Sequence, residues 1–497
     1  MTKMFSRSFC GIGRAAIMLT LICSLCLLAA APAGAQGIFR QLSQDSFSGG
    51  TGQHQSEVEP GAYAYGPTVV VAFQVARIYG GGGMDIGWAT TTNGGISWSN
   101  GYLPGLTTWY QGGTNSAASD AAVAYDLKHH EWIICTLPIG NNYLVAVSRS
   151  SDGLHWDSPI YVTKSIYSDK NWINCDNNSN SPYYGNCYVE WDSPGAGDLI
   201  YMSTSTDGGL TWGPSLTTAG NDYGIGGNIE ILPNGTVVVG IADFSGGMSA
   251  FTSTNGGQSW NRMISIASAP SRGEDGGLRS MGLPSSTHDA AGTVYLAWPD
   301  CRYETSCSAN DIVYSTTTDG IHWSPVVRVA ADPVNSNVDH FIPGIAVDPK
   351  TSGNTAHIAV TYYYYPKANC GNNCTLYAGY SQSSDGGATW TANRQLSGPM
   401  QLSWLPNTFS GYMVADYVAT VFAGPRALPI YVIAKQPSGG LLQQAVYTEG
   451  YGFPFTGMEG PTFSSAAQPI PDFESYVRPR QFYDQDEQFP VPPPDRK

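Results

Sequence analysis

The sequence predicts an all-β protein built from a repeated unit, and three observations support this fold class. The first is an eight-residue motif, Ser-Thr-Asp-Gly-Gly-Leu-Thr-Trp at residues 205–212, which recurs with the same order of residue types. The second is the composition, because 59 Gly, 30 Tyr and 13 Trp favour many short strands and turns. The third is that no segment shows a sustained 3.6-residue apolar period, so helix should be scarce.

Each part of the motif has a physical role. An Asp or Asn before Gly is typical of a tight turn, since Gly adopts positive φ freely and the side-chain oxygen accepts hydrogen bonds from nearby backbone N–H groups. The Ser and Thr hydroxyls support the same turn, and the Trp anchors a small sheet. Six copies indicate a repeat architecture. They lie at residues 91–98, 150–156, 205–212, 253–260, 317–323 and 383–390.

The motif resembles the Asp-box, also called the bacterial neuraminidase repeat, of sialidase-like β-propellers. The six copies and their strands cover about residues 57–400, most of the chain. The resemblance implies a β-propeller of four-stranded antiparallel blades, with each box on the turn between the third and fourth strands. It also implies an active site on the opposite face. Because catalytic and non-catalytic propellers both carry Asp-boxes, the motif is more specific for fold than for function.

Residues 1–35 are interpreted as a secretory signal peptide. Lys3, Arg7 and Arg14 form a basic leader before an apolar run at residues 15–31. Ala-Gly-Ala at 33–35 then provides a small-x-small cleavage site before Gln36. We therefore expect a secreted protein, extracellular or periplasmic, that is not a transmembrane protein after signal cleavage.

The charge balance limits the partners. Only 12% of residues are charged, and the formal net charge is −15, or −18 without the three leader cations. Such a surface argues against binding to nucleic acid or to an anionic membrane. We expect a monomer whose partner is an extracellular glycan or glycoconjugate.

Seven cysteines remain after the leader, and six of them fall into close pairs. In an oxidising compartment, close pairs predict local disulfides. No paired Cys/His spacing favours a metal site instead. Cys135 lies in an apolar run and is predicted to be a buried free thiol. The predicted disulfides are Cys175–Cys187, Cys301–Cys307 and Cys370–Cys374.

The spacing of the boxes predicts the number of blades. The first and last Asp or Asn of the motif are 292 residues apart over five intervals, about 58 residues per blade. The 412 residues from 38 to 449 then hold seven blades, six of them with boxes, and six blades is the alternative. Residues 414–422, 428–434 and 441–448 provide three strands of a boxless last blade.

The missing fourth strand of that blade is found at the start of the chain. Residues 40–43 read Arg-Gln-Leu-Ser and repeat residues 394–397, which hold the fourth-strand position of the sixth unit. The N-terminal strand is therefore predicted to close the last blade, which avoids a long unpaired edge. We assign residues 36–452 to the propeller. Residues 453–497 form a Pro-rich acidic tail, with Phe473 or Phe482 as an aromatic that packs on the propeller.

Two groups of loops reach the face away from the boxes. Carboxylates that converge from several blades need matching cations, a metal or water, and such places are often functional, although each side chain alone is also explained as a loop cap. The loops that enter the first strands carry Glu57, Glu59, Asp120, Asp169, Lys170, Arg279, Asp339, His340, Asp416 and Tyr417. The loops between second and third strands carry Arg77, Glu190, Asp192, Asp243, Asp300, Arg302 and Lys367.

The resemblance to sialidases implies three arginines on the substrate carboxylate, a tyrosine nucleophile with a glutamate partner, and an aspartate acid/base. The arginine candidates are Arg77, Arg279 and Arg302. The nucleophile candidates are Tyr417 and residues 362–365, and the acid candidate is Asp120. None of these candidates lies in a recognisable motif of the family. The many carboxylates on this face would also repel the carboxylate of a sialic acid. Ordinary two-carboxylate hydrolysis and Ca²⁺ binding are also open to these residues.

The sequence as a whole favours a secreted sialidase-like glycoside hydrolase that acts on extracellular glycans. The alternative is a non-catalytic propeller that binds a glycan, Ca²⁺ or a protein partner through the same face. No cofactor is required for hydrolysis, and no metal ligands are assigned. The predicted catalytic residues are Asp120, Asp169, Asp339, His340, Asp416 and Tyr417, and the predicted substrate-binding residues are Glu57, Glu59, Arg77, Glu190, Arg279, Asp300 and Arg302.

Overall fold

The computed structural model describes residues 39–140, 144–163, 166–455 and 460–471. The chain divides into two compact units, residues 1–36 and residues 37–497, and every described residue belongs to the second. The predicted signal peptide lies outside the described residues. Helix is as scarce as the sequence predicts, since the helices of the described part are 3₁₀ turns of three residues each. They are Pro194–Ala196, Thr305–Cys307, Gly353–Thr355, Gly371–Asn373 and Leu402–Trp404.

The strands form seven consecutive antiparallel sets after the short strand β1 (Phe39–Gln41), and a single pair, Gly83 with Ala118, joins sets one and two into one eight-stranded sheet. Set one is β2 (Val58–Tyr65), β3 (Thr68–Arg77), β4 (Gly83–Thr91) and β5 (Ser99–Tyr102). Set two is β6 (Ala117–Asp126), β7 (Glu131–Ile139), β8 (Ala146–Ser150) and β9 (Ile160–Tyr161). Set three is β10 (Asp169–Cys175), β11 (Cys187–Ser193) and β12 (Leu199–Ser205). Set four is β13 (Ile225–Ile231), β14 (Val237–Ala242), β15 (Gly247–Ser253) and β16 (Ile264–Ser268).

Set five is β17 (Ser285–His288), β18 (Val294–Asp300), β19 (Asp311–Thr317) and β20 (Val327–Arg328). Set six is β21 (Asp339–Val347), β22 (Ile358–Tyr365), β23 (Thr375–Ser383), the short β24 (Thr389–Thr391) and β25 (Arg394–Gln401), of which β24 pairs outside the set. The linker that follows has β26 (Asn407–Thr408) paired with β27 (Gly411–Tyr412). Set seven is β28 (Ala419–Ala423), β29 (Arg426–Ser438) and β30 (Leu441–Glu449), with β1 at its edge. The last strands are β31 (Phe453–Pro454) and β32 (Thr462–Ser464).

The first strands of the seven sets contact one another in a closed sequence. β2 contacts β6, β6 contacts β10, and so on through β13, β17, β21 and β28, which contacts β2 again. Apolar side chains pack between neighbouring sets, as where Tyr188 of set three meets Trp260 of set four edge to face. The ring of first strands places the loops that enter them close together at one end of the molecule.

The N-terminal strand pairs with the last long strand, as the sequence predicts. Phe39, Arg40 and Gln41 lie opposite Glu449, Thr448 and Tyr447 in antiparallel register. The next residue, Leu42, is fully buried in the apolar core, whereas Phe39 is 44% exposed. The start of the chain therefore covers the free edge of set seven.

We expect the substitution Leu42→Ala to lower the free energy of unfolding by about 2–5 kcal/mol, because it removes a buried side chain at the junction of the first and last strands. Deleting residues 36–44 should abolish soluble expression or lower stability further. The exposed Phe39→Ala is the control, with an expected change below about 1 kcal/mol. Denaturant unfolding measures these values, and wild-type stability in the deletion variant would refute edge closure.

The repeated motif forms the turn between the third and fourth strands of its set. In the third copy, Asp207 Oδ1 accepts hydrogen bonds from Thr211 N and Ser205 Oγ, both at 2.9 Å. Gly208 and Gly209 have φ of 75° and 81°, a conformation that a side chain would strain. Trp212 Nε1 donates to the carbonyl oxygen of Gly209 at 3.2 Å. Because neighbouring strands alternate in direction, these turns lie at the end opposite the starts of the first strands.

The cysteine predictions are confirmed. Disulfides join Cys175 to Cys187, Cys301 to Cys307 and Cys370 to Cys374. Cys135 is a buried free thiol. Each disulfide closes a loop of 4 to 12 residues, so all three stabilise local loops and none joins distant parts of the chain.

Some strands differ from the sequence prediction. The first strand of set five, β17, was not predicted from the sequence, because its residues Ser-Ser-Thr-His are polar. Set three lacks a regular fourth strand, and residues after its box form only isolated bridges such as Met202–Leu216. Beyond the propeller boundary predicted at residue 452, β31 pairs with β29 and β32 pairs with β24. Phe473 and Phe482 lie outside the described residues.

A search of the described residues for helices long and apolar enough to cross a membrane finds none.

Candidate active site

A recurrent bulge interrupts the pairing of the first and second strands in five of the sets. Near the start of five first strands the pairing register shifts, as between Val58 and Gly61 or between Asp169 and Trp172. Left-handed residues lie at these positions, and three of them carry charge: Glu59 (φ 54°), Asp120 (47°) and Lys170 (45°). This conformation costs roughly 1–2 kcal/mol for a residue with a side chain, so the surrounding structure enforces it.

Lys170 lies at the centre of a buried group of charges. Its Nζ is 2.9 Å from Asp416 Oδ2, 3.4 Å from Asp120 Oδ1 and 3.7 Å from Glu59 Oε1. All four side chains are at most 5% exposed. Burial opposes the charge on Lys170, but Asp120, Asp416 and Glu59 outweigh it and hold the pKa well above its usual value. Residues from four separate sets, or from the loops that lead into them, thus meet at the ammonium group of Lys170.

Asp416 also forms a bidentate salt bridge with Arg279. Arg279 Nε donates to Oδ1 at 2.9 Å, and Nη2 donates to Oδ2 at 2.6 Å. Burial raises the pKa of Asp416, but Arg279 and Lys170 outweigh burial and hold the pKa well below its usual range. Asp416 is therefore a carboxylate fixed between two cations.

Glu59 differs from Asp416 although both lie near Lys170. Gln74 Nε2 donates to Glu59 Oε2 and also lies 3.0 Å from Ser119 Oγ. Burial, offset in part by Lys170, raises the pKa of Glu59 to about 8. The protein thus holds a protonated carboxyl group next to an ionised one near neutral pH, an arrangement often used for acid/base chemistry.

A cavity adjoins this charged group along the ring of first strands. It has a volume of about 80 Å³ and is partly open to solvent. Asp120, Lys170 and Tyr417 line it, and its walls carry both polar side chains and apolar ones such as Leu283 and Ile345. The other polar wall residues are Asn171, Asn228, Ser285, Ser286 and Thr420. The cavity therefore combines titratable groups with hydrogen-bonding walls.

Tyr417 joins the charged group to an aromatic wall. Its ring meets Trp172 edge to face, with centroids 5.6 Å apart. Its hydroxyl oxygen is buried and has no hydrogen-bond partner among the described residues. Burial, together with the charges of Glu59 and Asp120, raises the pKa of Tyr417 well above its usual value. The hydroxyl is therefore neutral unless a nearby base accepts its proton.

The three candidate arginines bind different partners. Arg77 Nη1 donates to the carbonyl oxygens of Ile78 and Gly82 at 2.7 and 2.8 Å. Arg302 contacts Asp300 through Nε at 2.8 Å and Nη2 at 2.7 Å. Arg279 is paired with Asp416, so each guanidinium already has an acceptor within the protein.

The remaining predicted residues lie outside the Lys170 group. Asp169 Oδ1 accepts from the backbone N–H of Lys170 at 2.9 Å. Glu190 packs against Gly227, where a Cβ would come within 2.4 Å of its carboxyl carbon, and burial raises its pKa well above its usual value. Asp339 Oδ1 accepts from the Asn310 backbone N–H at 2.8 Å. Asp243 caps its own hairpin, and Lys367 is exposed. His340 belongs to a separate group described below.

Glu57 is a second buried carboxyl group with a raised pKa. It is 1% exposed, Ser43 Oγ donates to Oε2 at 2.9 Å, and burial raises the pKa to about 8. Between its unfolded value near 4.5 and pH 8, the folded state keeps a proton that the unfolded state has lost. The free energy of unfolding therefore falls as pH rises through this window.

We expect Glu57→Gln to remove a pH dependence of about 1.4 kcal/mol per pH unit between pH 6 and pH 8. Urea unfolding of the wild type and the variant at pH 6, 7 and 8 measures this difference. The exposed Asp157→Asn is the control and should leave the wild-type slope unchanged. Parallel wild-type and Glu57→Gln profiles would show that Glu57 is ionised in the folded state.

The sequence did not reveal several residues of this site. Gln74 holds Glu59 from the second strand of set one, and Trp172 packs on Tyr417. Neither residue type marks a site without the fold. The sequence did carry one signal, which is the position of Trp172. It comes two residues after Lys170, where the strand pairing resumes after the bulge. Gly61 and Ala122 hold the same position after Glu59 and Asp120.

Comparisons with known proteins give distant structural likenesses. An intramolecular trans-sialidase from Ruminococcus gnavus is 12% identical, with a TM-score of 0.43 over 65% of this chain and 92% of that chain. The NanB sialidase of Streptococcus pneumoniae is 13% identical, with a TM-score of 0.41 over 82% and 69%. A protein of unknown function from Dyadobacter fermentans is 13% identical, with a TM-score of 0.45 over 70% and 98%. No protein-family profile and no curated protein matches the sequence. Because all three TM-scores lie below 0.5, the site is interpreted from its own residues.

Proposed function

We propose that this protein is a secreted glycoside hydrolase, a seven-bladed β-propeller that acts on extracellular glycans at the cavity beside Lys170. The observation that carries the proposal is that Glu59, Asp120 and Asp416 meet around Lys170, while Asp120, Lys170 and Tyr417 also line the adjoining cavity. The closed sequence of contacts between first strands supports seven blades. The leader sequence and the three disulfides support export.

The role of Asp120 follows from its position, and those of Tyr417 and Glu59 also follow from their raised pKa values. Asp120 lines the cavity and is assigned as the acid that protonates the leaving oxygen of the glycosidic bond. Tyr417 is assigned as the nucleophile on the same cavity wall. Its raised pKa requires a base, and Glu59, whose charge acts on Tyr417, is assigned to accept the proton. With a pKa of about 8, Glu59 ionises as pH rises, so the rate should increase toward pH 8.

Because the candidate arginines are already paired within the protein, we expect the substrate to be a neutral glycan and not a sialoside. A sialic acid carboxylate needs free guanidinium donors, whereas Arg279 and Arg302 are already paired with Asp416 and Asp300. The cavity walls instead offer an amide at Asn171 and a hydroxyl at Ser285, together with the ring of Trp172. These groups suit the hydroxyls and the apolar faces of neutral sugar rings.

A panel of fluorogenic glycosides tests this function. The mature protein should hydrolyse at least one neutral glycoside, and Tyr417→Phe should remove that activity without lowering the melting temperature. Tyr223→Phe, an exposed tyrosine outside the cavity, is the control. Hydrolysis of the sialoside alone would keep the enzyme class but overturn the substrate assignment.

The second candidate, a non-catalytic binding propeller, is favoured by one observation. Glu59, Asp120 and Asp416 are at most 4% exposed, which suits a structural network better than open catalytic groups. Glycan binding without turnover of any substrate in the panel would establish this alternative.

A further inference from the structure

A second group of titratable side chains lies between sets five and six, apart from the Lys170 group. Asp311 begins β19, Asp332 lies in the loop between β20 and β21, and His340 is on β21. One carboxylate oxygen from each aspartate and one ring nitrogen of His340 all lie within 4.8 Å of one another. This spacing suits ligands that share one ion.

The orientation of His340 leaves one ring nitrogen without a partner. Nδ1 is 3.3 Å from the carbonyl oxygen of Asn310, which can only accept, so Nδ1 carries the proton. In the neutral ring Nε2 then presents a lone pair, and this atom lies 3.9 Å from Asp332 Oδ2. The side chain is 3% exposed, and Nε2 has no hydrogen-bond partner within the described part of the chain. A buried lone pair that faces carboxylate oxygens is unfavourable unless a cation or a proton lies between them.

Arg328 orients the two carboxylates. Its Nη2 donates to Asp311 Oδ1 at 2.6 Å and to Asp332 Oδ1. Asp311 Oδ2 is buried and without a hydrogen-bond partner among the described residues, whereas Asp332 Oδ2 accepts from Ser336 Oγ at 2.7 Å. Two carboxylates and one guanidinium give a formal charge of −1 beside His340. Arg328 thus satisfies one oxygen of each carboxylate, and the second oxygen of Asp332 lies 3.9 Å from His340 Nε2.

We propose that Asp311, Asp332 and His340 bind a divalent first-row transition-metal ion, such as Zn²⁺ or Mn²⁺. One imidazole nitrogen with two carboxylate oxygens is a donor set typical of these ions, whereas Ca²⁺ and Mg²⁺ prefer oxygen ligands alone. Arg328 and the Asn310 carbonyl then act as the outer partners that fix the ligands in place. The side chain of Asp332 is 14% exposed, which gives the ion a route from solvent.

The bound ion would link side chains of two neighbouring sets and of the loop between them. Asp311 belongs to set five, His340 to set six, and Asp332 to the loop that joins them. Binding to the folded state alone raises thermal stability with ion concentration. The metal site is therefore expected to stabilise this junction, and it does not depend on the proposed hydrolase activity.

The test uses the mature protein freed of metal by a chelator. Chromophoric competition for Zn²⁺ and electron paramagnetic resonance with Mn²⁺ should detect one site per wild-type chain, and Zn²⁺ should raise the melting temperature by several degrees. His340→Gln and Asp332→Asn should each weaken binding at least tenfold and remove the thermal shift. His357→Gln is the matched control, because His357 also lies near a carboxylate, 3.7 Å from Asp348, but outside the proposed ligand set.

Two results would overturn the proposal. One is wild-type protein that binds neither ion above the level of the Asp332→Asn variant. The other is an imidazole ¹⁵N spectrum that shows His340 doubly protonated at neutral pH in the presence of Zn²⁺, since a proton would then occupy the place of the metal. Asp332 is partly exposed, so its variant keeps the test valid even if His340→Gln does not fold.

Discussion

Replacing Asp120 by asparagine should lower kcat/KM for the glycoside substrate at least ~100-fold, a loss of about 2.7 kcal/mol of transition-state stabilisation. Asp120 is the carboxyl group that both lines the cavity and lies 3.4 Å from Lys170 Nζ. Asparagine keeps the shape of the side chain but cannot transfer the proton. The melting temperature should stay near the wild-type value, because the amide oxygen can still accept a hydrogen bond from Lys170.

The control for this substitution is Asp275→Asn. Asp275 is paired with Arg272 at 3.0 Å and does not line the cavity. Its variant should keep wild-type kinetics. Equal rates for Asp120→Asn and wild type would remove Asp120 from the mechanism, whatever the substrate.

Glu59→Gln adds a readout that a purely structural role would not produce. If Glu59 is the base for Tyr417, the rate of the wild type rises toward pH 8, and the variant loses this rise together with most of its activity.

Replacing Arg279 by methionine should lower the free energy of unfolding by about 3–5 kcal/mol, since it leaves a buried carboxylate short of a partner. Asp416 is fully buried and accepts two hydrogen bonds from Arg279. Lys170 alone would then neutralise Asp416 while it also faces Asp120. Denaturant unfolding at neutral pH measures the loss.

A double-mutant cycle separates the ion pair from the loss of packing. Asp416→Asn in the Arg279→Met background should recover part of the stability, because the unpaired charge is gone. The exposed Lys367→Met should change stability by less than about 0.5 kcal/mol. A cost below 1 kcal/mol for Arg279→Met would mean that solvent reaches Asp416 and that the group is not buried.

Local sequence signals predicted the parts of the fold that depend on them. The Asp-Gly turns and their tryptophans specify where third and fourth strands meet, as the bonds of Asp207 and Trp212 show. The repeat of Arg-Gln-Leu-Ser predicted that the N-terminal strand closes the last blade, where Arg40 lies opposite Thr448. Close cysteine pairs predicted all three disulfides, because short loops allow few other pairings.

The site was only partly predictable, since it depends on long-range geometry. The sequence placed four charged residues in the loops that enter the first strands, and the structure brings these four together. They are Glu59, Asp120, Lys170 and Asp416. Nothing local indicates that Glu59, Asp120 and Lys170 adopt left-handed backbone, a conformation that their residue types rarely adopt. The pairing of Arg279 with Asp416, 137 residues later, is likewise decided by the closure of the ring.

Hydrolysis in H₂¹⁸O tests the central claim most directly. The mature protein, incubated with a mixture of neutral glycans at pH 7 to 8, should release sugars that carry one ¹⁸O atom at the new reducing end, detected by mass spectrometry. Asp120→Asn should release at least ~100-fold less labelled sugar in the same time. Glycans that are bound by the wild type but recovered intact and unlabelled at every pH would contradict the assignment of a hydrolase.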